Sequence, residues 1–212
     1  MGEKTEKLLS ILKLQPVVPV LVVEDAASAV PLARALVAGG LKAIEITLRT
    51  AGALDAIRAV AEEVEGAEVG AGTILNGAQW DAAVAAGSKF IVSPGTTQEL
   101  LDAARTSDVP LLPGAATASE VMALREEGYK VLKFFPAEQA GGAAYLKALA
   151  SPLAGTLFCP TGSISLKNAR DYLSLPNVVC VGGSWVAPKE LVAAGDWAGI
   201  TKLAAEAFVL KG

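Results

Sequence analysis

Residues 43–50 read Ala-Ile-Glu-Ile-Thr-Leu-Arg-Thr. Successive side chains of a β-strand point to opposite faces. Ile44, Ile46 and Leu48 therefore share one face, and Ala43, Glu45, Thr47 and Arg49 share the other. The aliphatic face suits packing beneath helices. A polar row behind it, in a strand that a parallel sheet buries on both sides, needs another surface to look onto. The interior of a barrel supplies one.

Similar runs recur on both sides of this stretch, at 17–23, 68–73, 90–93, 111–113, 130–135, 156–160 and 178–181. Helical stretches with apolar residues three and four apart lie between them, as at 27–38, 54–64 and 119–126. Gly39-Gly40, Pro94-Gly95, Pro113-Gly114 and Gly182-Gly183 punctuate the junctions. Regular β-then-α alternation implies a parallel α/β sheet with helical crossovers. Eight such units in 212 residues predict a compact (β/α)8 TIM barrel. An open doubly wound sheet is the alternative, but even spacing and the lack of a dinucleotide-binding loop favour closure. Gly70-Ala71-Gly72 ends a strand run without the rest of that fingerprint. No composition shift marks a linker, so residues 1–212 read as one barrel domain. Residues 1–15, polar and then amphipathic with Leu8, Leu9, Ile11, Leu12 and Leu14, predict an extra packing helix rather than a signal peptide.

Composition excludes several functions. Apolar residues make up 52% of the chain and charged residues 19%, which implies a very full core or a buried subunit interface. A net charge of −4 without a basic cluster gives no purchase on a nucleic acid. No apolar run approaches the 18 or so residues of a membrane span. Cys159 and Cys180 sit in apolar runs and read as buried free thiols of a reducing cytoplasm. The chain contains no histidine, which removes Ser-His-Asp triads, histidine bases and the common zinc cages together. Catalysis must come from lysine, carboxylates, arginine, hydroxyls and backbone groups.

The sixth run repeats the anomaly of the second. Leu132 and Phe134 share one parity, while Val131, Lys133 and Phe135 share the other, so a lysine points inward from an apolar strand. Lys130 reads instead as a solvated strand start. Burial favours the neutral form of an amine, and the neutral amine is what attacks a ketone. A glutamate across the lumen could move protons without histidine. The plainer readings are a charge ladder plugging the barrel or an inert buried ion pair; buried pairs contribute little net stability, which weakens the second. Lys133, Glu45 and Arg49 near strand ends suit carbinolamine and enamine chemistry on a keto acid, with Arg49 gripping its carboxylate. The last two runs lead into Pro160-Thr161-Gly162-Ser163 and Gly182-Gly183-Ser184-Trp185. Glycine-bearing turns at these places commonly form the phosphate site of a barrel enzyme.

Seven segments carry a family resemblance: Pro16-Val17-Val18-Pro19-Val20, Glu45-Ile46-Thr47-Leu48-Arg49-Thr50, Val69-Gly70-Ala71-Gly72-Thr73, Ser93-Pro94-Gly95, Lys133-Phe134-Phe135-Pro136-Ala137-Glu138, Cys159-Pro160-Thr161-Gly162 and Gly182-Gly183-Ser184-Trp185. In order and spacing the chain resembles the class I 2-keto-3-deoxy-6-phosphogluconate (KDPG) aldolase / 4-hydroxy-2-oxoglutarate aldolase family. The resemblance implies a Schiff base on Lys133 and proton transfer by Glu45. It implies carboxylate binding by Arg49 and Thr73, with Pro94 and Phe135 walling the keto-acid end. Thr161 would meet the middle hydroxyls, and backbone N–H groups of Gly162, Ser163, Gly183 and Ser184 would hold the phosphate. The implied reaction yields pyruvate and glyceraldehyde 3-phosphate on the Entner–Doudoroff route, without metal or organic cofactor, in a homotrimer. Ser163 departs from the pattern, because the family is expected to carry a second glycine there. Its N–H can still donate, provided the backbone does not require φ > 0.

Three readings follow. The first is this aldolase, with 4-hydroxy-2-oxoglutarate or the phosphogalactonate epimer as other substrates for the same chemistry. The second is a phosphate-binding barrel isomerase or decarboxylase, in which Lys133 is never modified. The third is a binding protein on the same barrel, which has no need of a buried amine.

Overall fold

The computed structural model describes residues 2–210, so Met1 and the last two residues of the expected domain lie outside it. After an N-terminal helix, strands and helices alternate except where one strand follows another at 111–115 and one helix another at 189–208. The first half runs α1 (Gly2–Leu12), β1 (Val17–Leu21), α2 (Ala26–Ala38), β2 (Ala43–Thr47), α3 (Ala53–Glu63), β3 (Glu68–Gly72), α4 (Gly77–Ala85), β4 (Ile91–Val92) and α5 (Gln98–Thr106). The second runs β5 (Leu111–Leu112), β6 (Gly114–Ala115), α6 (Ala118–Glu126), β7 (Val131–Phe134), α7 (Gly142–Leu149), β8 (Leu157–Pro160), α8 (Ala169–Leu173), β9 (Val181–Gly183), α9 (Lys189–Ala194) and α10 (Trp197–Phe208).

Every strand pairing is parallel, in one sheet ordered β5-β4-β3-β2-β1-β9 and a second ordered β6-β7-β8. The α/β alternation read from the sequence is therefore present, but continuous ladders do not complete an eight-fold barrel. The sheet is open where β5 gives way to β6 at Pro113, a residue with no N–H to donate. It is open again between β8 and β9, which isolated bridges connect at Phe158–Val178 and Thr161–Gly182.

The eighth strand also lies later than the expected 178–181, at Val181–Gly183. Val179 and Cys180 both belong to the interior cluster, so the two-residue alternation breaks just before the ladder begins. The apolar run thus precedes the strand, and the two glycines read as turn punctuation carry the pairing, Gly182 with Val18 and Gly183 with Pro19.

Two apolar clusters flank the strands. The outer one gathers Ile44, Ile46, Leu132 and Phe134 against the helices. The inner one gathers Val18, Ala43, Val92, Leu112, Val131, Cys159 and Val179 from strand runs of both sheets, so the inner faces share one interior. Its floor is α1, whose Leu8, Leu9, Ile11 and Leu12 belong to the same cluster. Buried Gln15 ties that floor to the sheet. Its amide donates to the carbonyls of Val17 (2.9 Å) and Ala43 (2.7 Å) and accepts from the N–H groups of Lys42 (2.6 Å) and Ala43 (2.9 Å). Ala43 and Val131 open their strands in this apolar layer; Glu45 and Lys133 lie two residues further on the same parity. At about 3.3 Å per residue, the polar pair sits about 6–7 Å along the strands from Ala43 and Val131.

Candidate active site

Lys133 Nζ lies 3.3 Å from Glu45 Oε1, and both side chains are 4% exposed. They come from β7 and β2, strands of different sheets, so the contact crosses the interior. The amine also lies 5.3 Å from the centre of the Phe135 ring. Burying two charges costs more than one long contact returns, so the pair is poorly explained as a stabilising element.

The expected sequence parity holds on both strands. Thr47 is the exception among the inward polar residues, since its hydroxyl donates to the carbonyl of Leu21 (2.8 Å) and serves the sheet. Gly72 explains why the Glu45 carboxylate has room: a Cβ there would stand 2.0 Å from Oε1. Gly70 likewise gives way to Phe90, whose ring would lie 2.5 Å from an added Cβ. The Gly-Ala-Gly that resembled part of a nucleotide loop is thus a packing device, and its matching parity to Glu45 was the signal available in the sequence.

Above the pair, exposed Arg49 donates from Nε to Thr73 Oγ1 at 3.0 Å. Thr73 has φ +60°, a left-handed conformation that a β-branched residue rarely adopts. Such strain gathers at functional sites. Pro94 follows β4, and its carbonyl abuts Gly114, where a Cβ would be 2.3 Å away. Gly114 is in turn the lateral neighbour of Lys133. Pro94 and Phe135 are both half-buried.

The glycine turns of the last two units behave differently from one another. Gly162 has φ +114° and Ser163 φ +57°, so the conformation that favours glycine is the one Ser163 adopts. For a non-glycine residue this costs about 1–2 kcal/mol. Side chains missed by sequence reasoning offset it: Gln139 Nε2 donates to Ser163 Oγ (2.9 Å) and Asn168 Nδ2 to the Ser163 carbonyl (3.2 Å). Gly182 makes room for Thr161, whose Oγ1 would lie 2.2 Å from an added Cβ, and Gly183 for the Trp185 ring at 1.8 Å. Thr161 is buried and Ser184 exposed. Among the described residues, the N–H groups of Gly162, Ser163 and Ser184 donate to no protein acceptor.

The loop after β7 is fastened to this turn. Ala137 N–H donates to the Thr161 carbonyl (2.8 Å), and Glu138 N–H to that of Gly162 (3.4 Å). The Tyr172 hydroxyl donates to Glu138 Oε1. Burial, then the bond to Glu138, raises the Tyr172 phenol above its ordinary value, which keeps it a donor.

Comparison with known proteins gives this arrangement a family context. Residues 8–203 match the family model described as KDPG and KHG aldolase. The KHG/KDPG aldolase of Escherichia coli (strain K12) is 54% identical over 198 residues, covering 93% of each chain. A crystal structure of KDPG aldolase from Legionella pneumophila, with pyruvate captured at low pH as a covalent carbinolamine intermediate, superposes with TM-score 0.92 at 44% identity. It covers 94% of this chain and 97% of that one. The 2-keto-3-deoxy-6-phosphogluconate aldolase of Zymomonas mobilis ZM4, with 3-phosphoglycerate, also has TM-score 0.92, at 49% identity, covering 98% and 97%.

Proposed function

The chain belongs to the KDPG and KHG aldolase family and is an aldehyde-lyase, and from that premise we propose that it cleaves 2-keto-3-deoxy-6-phosphogluconate through an imine on Lys133. The observation that carries this reading is the buried Lys133–Glu45 contact at 3.3 Å across the interior.

Lys133 Nζ adds to the keto carbon of the substrate, and Glu45 relays the proton to the new hydroxyl, which leaves as water to give the imine. The imine withdraws electrons from the C3–C4 bond. Loss of the C4 hydroxyl proton to Glu45 breaks that bond, releasing glyceraldehyde 3-phosphate and leaving an enamine. Protonation of the enamine at C3 and hydrolysis return pyruvate and the free amine. Arg49 and Thr73 hold the carboxylate, and Pro94 and Phe135 wall the keto-acid end. Thr161 meets the hydroxyls. Gly162, Ser163, Gly183 and Ser184 receive the phosphate, supported by N–H groups at three of them that have no protein acceptor. Gly183 lies within the β9 ladder, so its part is the smallest.

Two further readings accompany this one. The two sheets act as one closed barrel and one domain, supported by the single-residue break at Pro113 and the bridges between β8 and β9. The protein works in the cytoplasm as a homotrimer, supported by large apolar side chains left exposed, Val22, Leu75, Met122 and Leu166, and by two buried cysteines whose sulfurs lie 3.5 Å apart without a disulfide.

The decisive experiment is borohydride reduction in the presence of pyruvate, followed by intact mass and peptide mapping. A pyruvate-sized adduct on Lys133 is expected, together with loss of turnover in Lys133→Ala. A folded, pyruvate-saturated protein that gains no adduct would sink the imine mechanism and favour a non-covalent phosphate-binding enzyme.

A further inference from the structure

We infer that Gln139 is a positioning residue for substrate specificity: it holds Ser163 in the left-handed conformation in which this chain's turn after β8 binds the phosphorylated end of the substrate. The inference deepens the aldolase reading and rests on it.

Ser163 follows Gly162 at φ +57°, where a side chain is strained and only local bonds keep it. Two bonds do so, one at its side chain and one at its backbone. Gln139 Nε2 donates to its hydroxyl at 2.9 Å, and Asn168 Nδ2 donates to its carbonyl at 3.2 Å. Asn168 is itself fixed, since its Oδ1 accepts from the Ser165 N–H at 2.8 Å. The Ser163 N–H is left without a protein acceptor among the described residues. Gln139 comes from the loop after β7, the strand that carries Lys133, and that loop is already bound to the turn through Ala137 and Glu138. The clamp therefore ties the turn to the strand of the nucleophile. Glycine at 163 would adopt the conformation without help; serine needs the amide.

The test compares wild type, Gln139→Ala, Ser163→Gly and the double variant by two readouts. One is steady-state cleavage of 2-keto-3-deoxy-6-phosphogluconate. The other is the pyruvate concentration giving half-maximal borohydride trapping, which involves no phosphate. Gln139→Ala should raise KM for the phosphorylated substrate about tenfold, the weight of one weakened hydrogen bond to a charged group, with kcat unchanged. Half-maximal trapping by pyruvate should move less than about twofold. In the Ser163→Gly background, Gln139→Ala should change KM by less than about twofold. An equal loss in both readouts, an unchanged KM in the serine background, or the same rise in the glycine background would each overturn the inference. Wild-type trapping by pyruvate tests the aldolase reading by itself, so the two can fail separately.

Discussion

At the scale of single residues, the site is a matter of where a carboxylate and an amine are allowed to stand. Replacing the Glu45 carboxylate by its amide keeps the shape and separates covalent from acid–base work. Glu45→Gln should lower kcat several hundred-fold, within the usual reach of general acid–base catalysis, while borohydride still traps some adduct on Lys133. Full activity would reduce Glu45 to a structural partner. Gly72→Ala approaches the same carboxylate from outside, because the added methyl would stand 2.0 Å from Oε1. A displacement of about 1 Å at a reacting group can cost about 10²-fold, so kcat should fall by roughly that factor. Circular dichroism should remain that of wild type, and an active Gly72→Ala would mean that Glu45 has freedom the geometry denies it. The inward placement of Lys133 and Glu45 was legible in the sequence because a charged residue on an apolar strand breaks a pattern. Gln139 and Asn168 were not, since their purpose depends on the φ of Ser163 rather than on any periodicity.

At the scale of elements, side-chain caps fix the starts of α2, α4, α5, α6 and α10. In α6 the Thr117 hydroxyl accepts from the Glu120 N–H, and the Glu120 carboxylate accepts from the N–H groups of Ala116 and Thr117 at 2.8 Å. The Ala116 bond, ahead of those from Thr117 and against partial burial, holds the Glu120 carboxyl below its ordinary value of 4.5. A carboxylate bound more tightly when folded adds stability above its unfolded pKa, and that stability disappears as pH falls through the lower, folded value. Glu120→Gln should therefore cost more at pH 7 than at pH 3, measured by urea midpoints; equal cost at both would remove the charge from the explanation. Thr117→Ala should cost about 1 kcal/mol, the usual loss of a cap. Element types were readable from the alternation and the apolar spacing, but edges were not. The run at 178–181 looked like a strand because it is apolar, yet both Val179 and Cys180 turn inward and the ladder starts at Val181. Pro113, read as the end of a strand, instead separates two short ones in different sheets.

At the scale of the whole molecule, stability and chemistry occupy different ends of one interior. The apolar layer formed by α1 and the strand runs closes the floor, while Lys133 and Glu45 stand one layer above it. The packing helix expected within residues 1–15 is that floor, and its Leu12 is fully buried in the inner cluster. Leu12→Ala removes buried volume between α1 and the strand residues of the inner cluster, so it should cost about 2–5 kcal/mol. That is a large part of the 5–15 kcal/mol by which domains are usually stable, and the denaturant midpoint should fall visibly. Below the new midpoint kcat should stay within about twofold of wild type, because the substitution touches neither the amine nor the carboxylate. A stable Leu12→Ala would show that α1 rests on the sheet without sealing it. A variant that remains folded but loses activity would show that the floor sets the height of the reactive pair, joining the two ends that the layered interior otherwise keeps apart.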